Sequence, residues 1–189
     1  MPADRRLLDE LISQLRNPDL AFKAVDELRL HGWLTDGSLR GVNLRGCDLS
    51  GTIMYGADLE GADLSHASLN VSYLSGANLH NANLTEANLM GADLGCVNLE
   101  SAVLTRAILR AAILGRVNFQ NADLRAANMQ RTRYLSLDNL STAYAMRHAI
   151  LPDGNLYDGR FNLVGDILAA QEVGINLDDP LQRKAFYDK

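Results

Sequence analysis

Very little in this chain could staple, anchor or export it. Among 189 residues there are two cysteines, Cys47 and Cys96. Two cysteines make no disulfide framework. They read as reduced thiols in a reducing compartment, which sets a cytoplasmic expectation. No apolar run approaches the roughly 20 residues that a membrane helix needs, so no membrane contact is expected. The opening stretch MPADRRLLDELISQ has no signal-peptide core, because acids and arginines interrupt it.

Groups with catalytic potential are equally scarce. The four histidines are His31, His66, His80 and His148. None forms a His/Cys cluster at metal-ligand spacing. No nucleophile elbow, phosphate-binding loop or dinucleotide fingerprint appears. The expectation is a chain that is not an enzyme, with no catalytic, cofactor-binding or metal-binding residues and no cofactor.

What is present is a beat of five. In NLHNANLTEANLMGADL, from Asn78 to Leu94, leucine recurs at Leu79, Leu84, Leu89 and Leu94. On a helix, five residues advance by roughly 500°, so these leucines would spiral around every face. On a flat strand an odd spacing sends them to alternate faces. A chain that turns by a fixed amount every five residues puts them all inside, as in a solenoid. The column runs from Leu39 to Tyr134, which is twenty units without a slip. Two residues before each leucine sits a small residue, usually alanine. Between these two inward columns lies an outward Asn or Asp in most units. Glycine often follows the leucine by two, where a corner needs permissive φ/ψ.

The motifs GADLEGADLSHASL and GANLHNANLTEANL resemble the pentapeptide-repeat family, whose consensus is A(D/N)LXX. The resemblance covers residues 37–136. It implies an all-β solenoid, a right-handed quadrilateral β-helix with four pentapeptides per coil, so five coils here. At about 4.8 Å per coil, the rod is roughly 24 Å long.

A solenoid must cover its open ends. Residues 1–36 read as an α-helical N-terminal cap. Leu7, Leu8, Leu11, Ile12 and Leu15 have helical spacing, and Asn17–Pro18 starts a second helix that Gly32 ends. Trp33 is expected to cover the first leucine layer. After Tyr134 the phase breaks, and residues 137–189 read as a C-terminal cap. It begins with a short helix after Ser136. An irregular last coil follows, with Ala149/Leu151, Gly154/Leu156 and Gly159/Phe161 as inward pairs. Helices over 163–174 and from Pro180 complete it. This segment either caps the last coil, covers a side, or joins two copies as a homodimer.

Charge narrows the function. Some members of the family imitate duplex DNA and bind DNA gyrase, a role suited to a long acidic rod. Residues 37–136 hold eight acids and eight arginines, so the net is zero. The acids dominate up to Glu100 and the arginines after Val103. A neutral, polarised rod is a poor duplex mimic, and with −5 on the whole chain direct nucleic-acid binding is not expected. The reading is a non-catalytic scaffold for an unknown protein partner, with a gyrase- or topoisomerase-directed DNA mimic as the alternative.

Residues twenty apart should stack. Side one carries Leu39, Leu59, Leu79, Leu99 and Phe119, and the other sides follow in order. Just after these come Arg40, Glu60, His80 and Glu100, an expected ion ladder. Side four breaks the polar rule most often, with Ile53, Tyr55, Tyr73 and Ile113 facing outward. This is the candidate interaction face, because aromatic residues are enriched at binding hot spots. It is open unless the C-terminal segment folds over it.

Overall fold

The computed structural model describes the backbone of residues 2–188 and the side chains of 5–188. Helix α1 spans Pro2–Gln14 and α2 spans Pro18–Leu30. A four-sided coil follows. Short α3 is Leu137–Leu140, α4 is Val164–Glu172 and α5 is Pro180–Asp188.

The twenty-residue stack is direct. Parallel bridges join Asn43 to Asp63, Ile53 to Tyr73, Asn78 to Asn98 and so on up to Ile113 with Arg133. Each side contributes one bridge residue, not an extended strand. The reason is the length of the side: five residues that must also turn a corner leave one residue free to pair. The ladder is nonetheless continuous. Leu79 N–H donates to Asn98 O at 2.8 Å, Asn98 N–H to Ala77 O at 3.0 Å, and Ala82 N–H to Leu79 O at 3.0 Å closes the corner.

From Leu39 through Met129 both inward columns are buried, except for half-buried Val42. Two polar members of the small column satisfy themselves. Thr52 Oγ1 donates to Leu49 O and Ser72 Oγ to Leu69 O, each at 2.7 Å. The column ends one unit earlier than its sequence suggests. Tyr134 has φ 62° and is 76% exposed, while Leu135 packs against the core instead. A phenol has no hydrogen-bond partner on the leucine axis, so it turns out to water.

The outward Asn/Asp position is structural. Its side-chain oxygen accepts the N–H two residues on, as Asn83 does from Thr85 at 3.1 Å and Asp63 from Ser65 at 3.0 Å. This Asx turn preorganises each corner. Every corner residue from Gly41 to Arg131 has φ between 51° and 73°, whether glycine or not.

At the start of the chain, α1 and α2 precede the first coil. Asn17 accepts Asp19 N–H at 3.0 Å to start α2. At its end, Gly32 has φ 75° and Trp33 N–H donates to Leu28 O at 2.9 Å. The residues that cover the first layer are Leu11, Leu15, Leu28 and Leu34. Trp33 is only half-buried and stacks on His31 with ring centroids 4.5 Å apart. Its indole is too wide for the narrow axis, so it borders the cap instead of plugging it. Two arginines replace the missing coil beneath. Arg16 Nη2 donates to Asn43 O at 3.1 Å and Arg29 Nη2 to Ile53 O at 2.6 Å. Both carbonyls would otherwise dangle at a sheet edge.

The C-terminal segment caps the last coil. Ser136 starts α3 by accepting Asn139 N–H at 3.2 Å. The chain then rejoins the stack with a two-residue offset, Asp123 pairing with Ala145 and Asn128 with Ile150. Met146, Ala149 and Leu151 fill the core. Of the expected inward pairs, Gly154/Leu156 fails. Leu156 is exposed and Tyr157 is buried in its place, because the chain reverses at Asp153–Gly154 and Leu156 pairs antiparallel with Ile150. Gly159 is packed under the Tyr187 ring, and Phe161 is half-buried against Tyr157. Leu163, Ala170, Phe186 and Tyr187 complete the cover. Buried Asp166 on α4 binds it to the coil, accepting N–H bonds from Met146 at 3.2 Å and Arg147 at 3.1 Å. Burial raises the pKa of the Asp166 carboxyl, and these two bonds work against that rise.

Candidate interaction face

Side four is open. Its outward residues Ile53, Tyr73, Asp93, Ile113 and Arg133 form one parallel ladder. Tyr55 and Tyr73 are 51% and 44% exposed, with ring centroids 5.9 Å apart and planes tilted 59°. That tilted geometry is favourable for aromatic pairs. Ile53 and Ile113 are half-buried. Ile53 is partly roofed by α2, whose Arg29 reaches its carbonyl and whose Phe22 lies beside the Gly51 corner. The C-terminal segment is engaged at the far end of the rod, and among the described residues none of its side-chain hydrogen bonds reaches Tyr55 or Tyr73. The position after the side-four leucine becomes Gly95 and Gly115 in the third and fourth coils, so the middle of the face carries no side chains there.

The ladder on side one forms in part. Arg40 Nε donates to Asp58 Oδ2 at 2.7 Å, and its Nη1 lies 3.7 Å from Glu60. His80 Nδ1 is 3.6 Å from Glu60. Glu100 does not join. It accepts a hydrogen bond from Asn118 at 3.4 Å instead. The Asx oxygens run alongside, so Asn78, Asn98 and Asn118 make their own amide ladder, Asn118 Nδ2 donating to Asn98 Oδ1 at 3.0 Å. Burial raises the Asp58 pKa, but the hydrogen bond from Arg40, together with those from Glu60 N–H and Asn78, outweighs it and holds the carboxyl below its usual range.

Two features were missed by sequence reasoning. His66, Glu86 and Arg106 stack on one corner, with Glu86 3.2 Å from His66 and 3.3 Å from Arg106. Their twenty-residue spacing carried that signal, on the corner column and not beside the leucine. Outward-turned Tyr134 was the other, and its size and hydroxyl in a leucine column were the clue. Cys47 is buried and Cys96 exposed, both as free thiols. Among the described residues no helix is long and apolar enough to cross a membrane, and no three His, Cys, Asp or Glu side chains converge on a metal site.

The comparisons bear on this geometry directly. The pentapeptide-repeat model matches residues 34–70, 72–110 and 102–133, with eight copies and more than half of the chain covered. The chain belongs to the pentapeptide-repeat family. It is similar in structure to a pentapeptide repeat protein from the cyanobacterium Cyanothece 51142, at 28% identity and TM-score 0.54, covering 59% of this chain and 89% of that one. A pentapeptide repeat protein of the Arabidopsis thaliana thylakoid lumen is similar at 27% identity and TM-score 0.51, covering 63% of this chain and 86% of that one. No curated protein matches the chain. The family match falls on the coil, within residues 34–133.

Proposed function

We propose that this pentapeptide-repeat protein is a non-catalytic, cytoplasmic scaffold that binds a protein partner through side four. The observation that supports this is the exposed Tyr55–Tyr73 pair on an otherwise regular surface. Elsewhere the outward position is mostly Asn or Asp, which the Asx turn explains. Tyrosine and isoleucine there cannot make that turn, so the fold gives no reason for them. Large aromatic groups on a rigid surface bind with little loss of side-chain entropy. The test is capture of partners from the source cell by wild-type protein and by the Tyr55→Ser/Tyr73→Ser double variant. A partner retained by the wild type and lost by the variant, at unchanged thermal unfolding, supports the face. Equal capture by both rejects it.

The gyrase-directed alternative is disfavoured by the zero net charge of residues 37–136. A supercoiling assay with purified gyrase checks it, and inhibition or protection would revive it. Exposed Val164 and Leu168 on α4 and Leu181 on α5 motivate a homodimer reading, which sedimentation over a concentration series decides.

A further inference from the structure

Side four has a second character at its C-terminal end. Arg133 is its fifth-coil outward residue. Arg131 stands at the corner leading into the side, Arg116 at the corner leading out, and Arg110 just before the preceding corner one coil below. All four are exposed. Three other arginines of the rod have carboxylate partners, Arg40 with Asp58, Arg106 with Glu86 and Arg125 with Asp123, and Arg45 donates to the Ser65 hydroxyl. Among the described residues, Arg110, Arg116, Arg131 and Arg133 form no ion pair. Asp93, the acid on the side-four ladder, is already engaged, accepting from Ser75 Oγ at 2.6 Å and Gly95 N–H at 3.1 Å. Asp138 on α3 is exposed and pairs with none of them. Four like charges on one end of a face repel one another and are left uncompensated by the chain itself.

We infer that side four binds an extended, acidic segment of a partner protein, laid along the rod axis. Its apolar residue sits on Tyr55 and Tyr73, and its carboxylates sit on Arg110, Arg116, Arg131 and Arg133. This rests on the reading of side four as the interaction face and adds the chemistry of what binds there. Length supports an extended segment. The tyrosines occupy coils one and two and the arginines coils four and five, so their centres are roughly 14 Å apart at about 4.8 Å per coil. A strand of about four residues covers that distance. One side of the rod is far smaller than the roughly 800 Å² per partner of a globular interface. Between the two ends, Gly95 and Gly115 thin the side-chain layer, leaving Asp93 and Ile113 as its outward residues. Exposed Tyr134 stands beside Arg133 and adds a third aromatic surface at the basic end. The partner's carboxylates meet guanidinium groups, which bind them in a fork geometry. The alternative polyanion is nucleic acid. It is disfavoured because the chain carries −5 overall and these arginines are confined to the fourth and fifth coils.

The experiment uses the full chain and a labelled synthetic peptide of one phenylalanine followed by several glutamates, read by fluorescence anisotropy. A peptide with glutamine for glutamate and a single-stranded DNA oligonucleotide are the comparison probes. The glutamate peptide is expected to bind, and to weaken at least about tenfold on going from low to high salt. The glutamine peptide should bind at least about tenfold more weakly. Arg131→Ser/Arg133→Ser should reduce binding of the glutamate peptide by a similar factor, and Arg106→Ser, on another corner, should not. Circular dichroism confirms that each variant keeps its fold. No binding of the glutamate peptide, equal binding of the two peptides, or tighter binding of the DNA would overturn the inference. The two readings fail separately in partner capture. Loss with the tyrosine variant but not the arginine variant keeps the face and removes the acidic partner. Retention with both removes the face as well.

Discussion

Replacing Val71 by glycine should make this protein more stable, although it deletes a hydrophobic side chain. Val71 occupies a corner with φ 51°, and it is 54% exposed. An L-residue in the left-handed region pays roughly 1–2 kcal/mol, and a β-branched one is the least suited to it. Glycine removes that strain but adds unfolded-state entropy, which costs about 0.4–1 kcal/mol. The half-exposed valine contributes little packing. The net expectation is a gain of about 0.5–1 kcal/mol. For a chain of this size that is a rise in Tm of about 1–4 °C. The reverse change supplies a control. Gly61 has φ 65° and open space where a Cβ would sit, so Gly61→Val imposes strain alone and should lower Tm by a similar amount. Gly91 adds a crowding component. A Cβ there would lie 3.3 Å from Val71 Cγ1, so Gly91→Ala should cost more alone than in the Val71→Gly background. Calorimetry and urea unfolding, followed by two probes because repeat arrays can lose cooperativity, read the wild type and all four variants. An unchanged or lower Tm for Val71→Gly, with Gly61→Val harmless, would refute the claim that corner φ and not corner chemistry controls stability.

Other expectations are more local. Arg29→Ala should destabilise by about 1 kcal/mol and raise hydrogen exchange in the first coil first, because Ile53 O loses its donor; uniform exchange across all coils would contradict this. Asp166→Leu should cost about 2–4 kcal/mol, since Met146 and Arg147 N–H groups lose their acceptor inside the cap; a Tm unchanged in thermal melts would show that the cap does not depend on it. The depressed pKa of Asp58 means that its ionised form is favoured in the folded state. Its contribution is therefore present above the unfolded carboxylate value and is lost as pH falls through the lower folded value. Arg40→Ala should weaken that acid-side loss, seen as a shallower fall of Tm with pH in the acid range; an identical profile would remove Arg40 from the account.

The five-residue beat and its two inward columns were legible from residue types alone, because the axis takes only large apolar residues, Leu, Met or Phe, and the small column only Ala, Ser, Thr, Cys or Val. The start of α2 at Asn17–Pro18 and its end at Gly32 were legible for the same local reason: caps are made by residues adjacent in sequence. Local chemistry also supplied the outward Asn/Asp, although its purpose, the Asx turn, appears only when its oxygen is seen on the N–H two residues on. What the sequence could not decide was everything set by shape across the coil. Trp33 fails to plug an axis whose width only the assembled coil defines. Tyr134 leaves the column because no buried partner for its hydroxyl exists there. Leu156 is exposed and Tyr157 buried because a tight reversal at Asp153–Gly154 flips the alternation, and a single-residue change of register exchanges faces. Whether side four was covered also depended on where α4 and α5 dock. The buried Asp166 carboxylate, satisfied by two backbone donors on the last coil, places them on the end of the rod and leaves the tyrosines in water.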